Sequence, residues 1–224
     1  MSEDRWERLG AATGIVFVIL AVAALLFVST PPEPGASTEE VVAYSVENRD
    51  GLLIQSYLFG LAGIFFLWFL GSLRAYLRRA EGDTGRLSAV AFGAGIATFS
   101  SFGTGTGIAA TLAYSIAGQA DPGTTEALSR VVTLAFTGTA FPLIALVAAT
   151  VLVGGRTKTL PRWHGLLGWG LLPVALVSSL ATFFSEGFFA PGGMYGYVFF
   201  GVFLVWILGA SIHLTRQAGQ PAST

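Results

Sequence analysis

Residues 87–120 read LSAVAFGAGIATFSSFGTGTGIAATLAYSIAGQA, 34 consecutive residues without a charge between Arg86 and Asp121. As one straight helix this run would be about 50 Å long, against a hydrocarbon core of roughly 30 Å. Five similar runs surround it. They hold 24 residues between Arg8 and Glu33, 23 between Asp50 and Arg74, 25 between Arg130 and Arg156, 23 between Arg162 and Glu186, and 29 between Glu186 and Arg216. All six exceed the roughly 20 apolar residues that cross a bilayer. Together they take up 158 of the 224 residues.

Charged residues make up only 11% of the chain, against about 25% in a soluble domain. The mean hydropathy is +0.69. No soluble fold can bury so much apolar sequence and keep a wettable surface, so a soluble enzyme is excluded. The fold class predicted is all-α, a polytopic membrane protein built as a six-transmembrane-helix bundle. Spans are expected near 9–30, 51–78, 87–117, 127–154, 164–185 and 194–215 within a single membrane domain, 1–224. The first apolar run is too long for a signal-peptide core and lacks a small-x-small cleavage site, so it reads as a retained helix.

Orientation follows from the cations. With the N-terminus cytoplasmic, Arg5, Arg8, Arg74, Arg78, Arg79, Arg86, Arg156, Lys158, Arg162 and Arg216 fall inside, and only Arg49 and Arg130 outside. Lys and Arg in short loops set orientation. The expected location is therefore the bacterial cytoplasmic (inner) membrane, multi-pass, with both termini cytoplasmic. Eleven of the 12 basic residues are Arg, a GC-rich compositional hint. The hydrophilic pieces are too short for a catalytic or nucleic-acid-binding domain, so the lipid bilayer is the expected partner and nucleic acid is not.

The outer loop, 31–50, holds Ser37 three residues before Glu40, a capping-box pattern, with Val42 and Val46 on one face. It predicts a short interfacial helix ending near Asn48, acting as a connector or, less simply, as a lid. Within 87–117, small residues recur every four positions in two ridges. One is Gly103, Gly107, Thr111, Ser115; the other is Ala97, Ser101, Gly105, Ala109, Ala113. Such ridges let helices approach closely in lipid. Gly103, Gly105 and Gly107 are accordingly expected to pack helices, within the chain or against a second copy or another membrane protein. The Gly103–Gly107 stretch also offers an unwound turn. It is no phosphate loop, because no strand precedes it and no Lys follows. Pro142 and Pro173 are expected to kink the fourth and fifth spans by freeing the carbonyls of Gly138 and Trp169.

Chemistry is sparse. No span carries an ionisable residue at its centre, which removes the usual proton relays and voltage sensors. With no Cys, there is no thiol, disulfide or Cys-ligated metal. His164 and His213, both at inner helix ends, read as polar caps in preference to haem or metal ligands. The fourth span lacks the Gly-x-Ser-Gly serine of rhomboid proteases. No catalytic residue, cofactor or metal is therefore assigned. The remaining polar groups are hydroxyls, and Ser101, Thr104, Thr137, Thr139, Ser179 and Thr182 are candidates for a narrow polar path. The simpler reading has each bonded to the carbonyl one turn back. Glu186 among Phe183, Phe184, Phe188 and Phe189 reads as an aromatic interfacial belt, or as a cation site with aromatic walls.

The stretches 49–58 (RDGLLIQSYL), 73–82 (LRAYLRRAEG) and 160–165 (LPRWHG) resemble parts of uncharacterised multi-span actinobacterial membrane proteins. That resemblance implies an inner-membrane helical bundle and assigns no reaction, substrate or site. The functional expectation is a non-enzymatic structural or partner-binding membrane protein. The alternative is a small transporter or channel for a neutral or apolar solute, using the two prolines and the hydroxyls.

Overall fold

The computed structural model describes residues 3–33, 35–82, 85–116 and 121–218. Among these the fold is all-α, with eight α-helices and no strand: α1 (Glu3–Leu25), α2 (Thr38–Glu47), α3 (Arg49–Glu81), α4 (Arg86–Thr111), α5 (Pro122–Gly138), α6 (Ala140–Thr157), α7 (Arg162–Ser179) and α8 (Met194–Gln217). A π-helical turn, Leu112–Ile116, follows α4, and a 3₁₀ turn, Leu180–Phe183, follows α7. Six segments are long and apolar enough to cross a membrane, with α5 and α6 forming one of them, Pro122–Thr157. The chain thus fits a multi-pass membrane protein.

The spans form a ring in which each packs on the one before it. The order is α1, α3, α4, α6, α7, α8, and the ring closes where α8 meets α1. At that seam Ser211 Oγ donates to the carbonyl of Ala11 at 2.5 Å. Large apolar side chains remain exposed around the outside, among them Ile19, Ile64, Trp68, Phe141, Leu166, Leu176 and Val205. A monomer in water rarely shows so continuous an apolar surface; hydrocarbon chains accept it.

The densest core lies in one half of the bundle. Phe66, Phe69, Leu70, Leu73 and Leu77 of α3 meet Leu143, Leu146, Val147 and Val151 of α6 there, with Phe203, Trp206, Ile207 and Ala210 of α8. This half ends where most of the Arg residues gather, and is called the basic end below. There Arg79 pairs with Glu7, joining α3 to α1. The Glu81 carboxylate accepts from the N–H groups of Leu87 and Ser88 at 2.8 and 2.9 Å, capping α4 across a turn in which Gly82 and Gly85 take positive φ. Carboxylates suit this position because the first N–H groups of a helix are unpaired and carry partial positive charge.

At the far end α2 begins with the expected capping box. The Ser37 side chain accepts from the Glu40 N–H, and Glu40 accepts from the Ser37 N–H. The helix is tied to the bundle by Thr38, whose hydroxyl donates to Glu126 of α5 at 2.5 Å. Burial, and secondly Tyr197, push the Tyr44 hydroxyl up to about 12. It therefore stays protonated and donates to the Ser29 carbonyl.

Several boundaries differ from the sequence reading. The first helix runs Glu3–Leu25, not 9–30, because polar residues at the basic end continue the helix and the turn toward Pro31 stops it early. The fifth, expected near 164–185, runs Arg162–Phe183, α-helical to Ser179 and then tightened into the 3₁₀ turn. The expected unwound turn at Gly103–Gly107 is absent: α4 is continuous there, and the irregular turn comes later, at Leu112–Ile116. The end of the expected third helix, Ala117, lies outside the described residues. The fourth span, expected as one kinked helix over 127–154, starts at Pro122 with Asp121 as cap, and breaks at Thr139. Pro142 therefore sits in the first turn of α6, where a missing N–H leaves no intrahelical bond unmade. Pro173 lies inside α7, which stays helical across it.

Candidate functional site

Two voids lie between the spans, one in the far half of the bundle and one near its middle, and they share a wall. The first is a groove of about 420 Å³ between α3 and α4, open sideways to the surroundings. Leu53, Ser56, Tyr57 and Gly60 form one side, and Gly103, Thr106, Gly107 and Ala110 the other, with Phe59, Phe99 and Phe102 as its floor. The second is a chamber of about 50 Å³ between α1, α3, α4, the α5–α6 break and α8. Its lining is phenylalanine from four of these elements (Phe17, Phe59, Phe66, Phe99, Phe102, Phe199, Phe200 and Phe203) with Gly63, Leu143, Thr98 and Thr139.

Glycine makes both shapes. The Phe99 ring lies directly on Gly63, where any Cβ on α3 would collide with it. One turn nearer the basic end, Leu70 occupies the space over Gly95. These two contacts close α3 on α4 and end the groove. Gly60, Gly103 and Gly107, by contrast, have no atom within 4 Å of where a Cβ would stand.

The three glycines expected to pack helices therefore divide. Gly105 does: a Cβ there would meet the Phe136 ring at 2.9 Å and Ala135 at 3.3 Å on α5. Gly103 and Gly107 face the open groove, which corrects the reading that their ridge touches another helix of the chain.

The hydroxyl path does not assemble. Thr104, Thr137, Thr139 and Ser179 each donate to a carbonyl of their own helix, on Ser100, Thr133, Phe136 and Leu176 at 2.6–3.0 Å. Thr104 and Thr182 are exposed and Ser101 is half-buried. Of the six candidates, only Thr139 lines the chamber, facing Thr98, whose hydroxyl is itself bonded to the Ala94 carbonyl at 2.9 Å. Walled by rings and without a free donor, the chamber offers a water few of the polar partners it needs.

The histidines also depart from expectation. His164 is fully buried, not an interfacial cap. Its ring stacks on Trp206 at 5.3 Å, and its Nε2 lies 3.1 Å from the Trp206 carbonyl. His213 is half-buried at the basic end. The Tyr76 hydroxyl donates to the Thr159 carbonyl at 2.6 Å, and His213 Nε2 lies 3.0 Å from that same oxygen. A carbonyl accepts two such bonds, so α3, α8 and the α6–α7 turn are pinned at one atom. Sequence reasoning missed this knot. The aromatic group near Glu186 packs on itself and on Tyr195, with Phe188 against Phe189 at 5.0 Å and Phe189 against Tyr195 at 5.1 Å. Among the described residues no three His, Cys, Asp or Glu side chains stand together as metal ligands.

No family model, no curated protein and no solved structure matches the chain.

Proposed function

We propose that this is a non-enzymatic integral protein of a bacterial cytoplasmic membrane, with both termini in the cytoplasm, acting by binding within the bilayer and not by passing solute across it. One observation carries the reading: the void at mid-depth is a phenylalanine-walled chamber of about 50 Å³ instead of a hydroxyl-lined passage. A polar solute crossing there would shed its water without finding a free hydrogen-bond partner, a cost of several kcal/mol per polar group. Four of the six hydroxyls that a transporter would use are spent on their own helices. Support for the orientation comes from the ten cations gathered at one end.

The test is uptake into liposomes. Vesicles carrying the purified chain should take up labelled glycerol and urea no faster than empty vesicles. Saturable uptake above that background, reduced by Thr139→Val, would replace this reading with the transporter.

A further inference from the structure

The groove between α3 and α4 is shaped for one particular occupant. From Phe99 to Ala110 it follows twelve residues of α4, about 16 Å at helical rise. One leaflet of the hydrocarbon core is roughly 15 Å deep, half of about 30 Å. The groove is therefore one leaflet long. It opens to the side, where lipid would be, and stops at mid-depth against Phe99 on Gly63. Apart from Tyr57, Ser56 and Thr106, every lining residue is apolar or glycine; the two hydroxyls of Ser56 and Thr106 donate to helix carbonyls.

Its mouth carries a cation. Arg49 stands one turn above Leu53 on the same face of α3. Its Nε donates to the carbonyl of Ala113, one turn beyond Ala110 on the opposite wall, at 3.1 Å. The guanidinium thus bridges the two walls where the groove ends. Half of the side chain remains exposed, and its charged contact is a loose one, 3.5 Å to the open carboxylate of Asp50. The other cation of this end, Arg130, is held by Glu126 at 2.6 Å.

We propose that the groove holds one acyl chain of a phospholipid whose phosphate is bound by Arg49. A guanidinium offers paired donors that match phosphate oxygens, and an apolar slot of this depth takes a chain that ends at the bilayer midplane. A partner helix fits less well, because it would need a seat through the whole membrane, and Leu70 on Gly95 fills the continuation of the groove. The inference rests on the bilayer placement above and is independent of which leaflet the far end faces.

Native mass spectrometry of the full chain in mild detergent tests it, titrated with phosphatidylglycerol and separately with diacylglycerol. Gly107→Leu fills the groove from a position with open space around it, and Gly201→Leu adds the same side chain on the open face of α8. Phosphatidylglycerol should bind at least tenfold more weakly to Gly107→Leu and unchanged to Gly201→Leu. Arg49→Gln should weaken phosphatidylglycerol while leaving diacylglycerol as it is in the native chain. Equal binding by Gly107→Leu and the native chain would overturn the proposal. So would a dimer that Gly107→Leu dissociates with no loss of lipid, which would make the groove a seat for a second copy. Release of the chain from membranes by alkaline carbonate, read before any lipid is added, would instead refute the bilayer placement itself.

Discussion

Gly105→Ala is the substitution on which the packing argument turns. In α4 the added Cβ would lie 2.9 Å from Phe136 Cε1 and 3.0 Å from its Cδ1, with Ala135 Cβ at 3.3 Å behind them. The ring cannot simply turn away, because Phe136 also packs on Phe102 at 5.0 Å between centroids. Overpacking of this kind costs about 1–3 kcal/mol. Gly93→Ala on the same helix is the internal reference, since nothing lies within 4 Å of its Cβ position. There the substitution relieves the backbone entropy of a mid-helix glycine and stabilises by about 0.5–1 kcal/mol. For a chain of this size 1 kcal/mol moves the melting temperature by roughly 2–4 °C. The same helix gain accrues at Gly105, so Gly105→Ala should melt several degrees below Gly93→Ala in detergent, and Gly93→Ala slightly above the native protein. Melting curves that move in the same direction by the same amount would refute the assignment of Gly105 to the α4–α5 contact. They would place it on the lipid-facing side with Gly103 and Gly107.

Two further outcomes are expected. Tyr76→Phe removes one donor from the Thr159 carbonyl and should lower stability by about 1 kcal/mol, read as a drop of a few degrees in the same melting assay; an unchanged melt would mean that the basic end is not held at that carbonyl. Reporter fusions after Ala36 and Gly82 should report the outside and the inside of the cell respectively, and the reverse pattern would invert the orientation drawn from the cations.

The elements that local chemistry determines are legible in the sequence. Gaps between charges located the six apolar segments, because a charge at mid-membrane is expensive whatever surrounds it. The Ser37–Glu40 box located α2, because a cap needs only its own first turn. Readings that depend on a neighbour's position fared worse. Gly103 and Gly105 are two residues apart and alike in sequence, yet one opens into a groove and the other lies under Phe136. Only the placement of α5 decides between them. His164 reads as an interfacial cap by its position near a helix start; its burial comes from Trp206, 42 residues away in the chain. The break at Thr139 falls beside Gly138, whose carbonyl Pro142 is expected to free. It goes further than a bend because a proline is cheapest in a first turn, so the chain starts a new helix just before Pro142. The groove was visible only as small residues at helical spacing, and nothing in that pattern says whether the space above them is filled.

The closed ring of spans bears on the order in which the protein can be made. Up to α7, each new span finds the span before it already in place: α3 meets α1, α4 meets α3, α6 meets α4 and α7 meets α6, while α8 meets α7 and, more extensively, α1. Insertion in chain order can therefore assemble the bundle one pairing at a time, each between spans close in sequence and so fast to form. The last seam is the exception. Ser211 reaches Ala11 across 200 residues, so the face of α1 around Gly14, which fits against Phe69 and Ser211, waits half-covered until α8 has been made. A ribosome that stops before α8 releases a chain with that face open to the bilayer. Such a nascent chain presents a small-residue helix surface that α8 covers once it is in place.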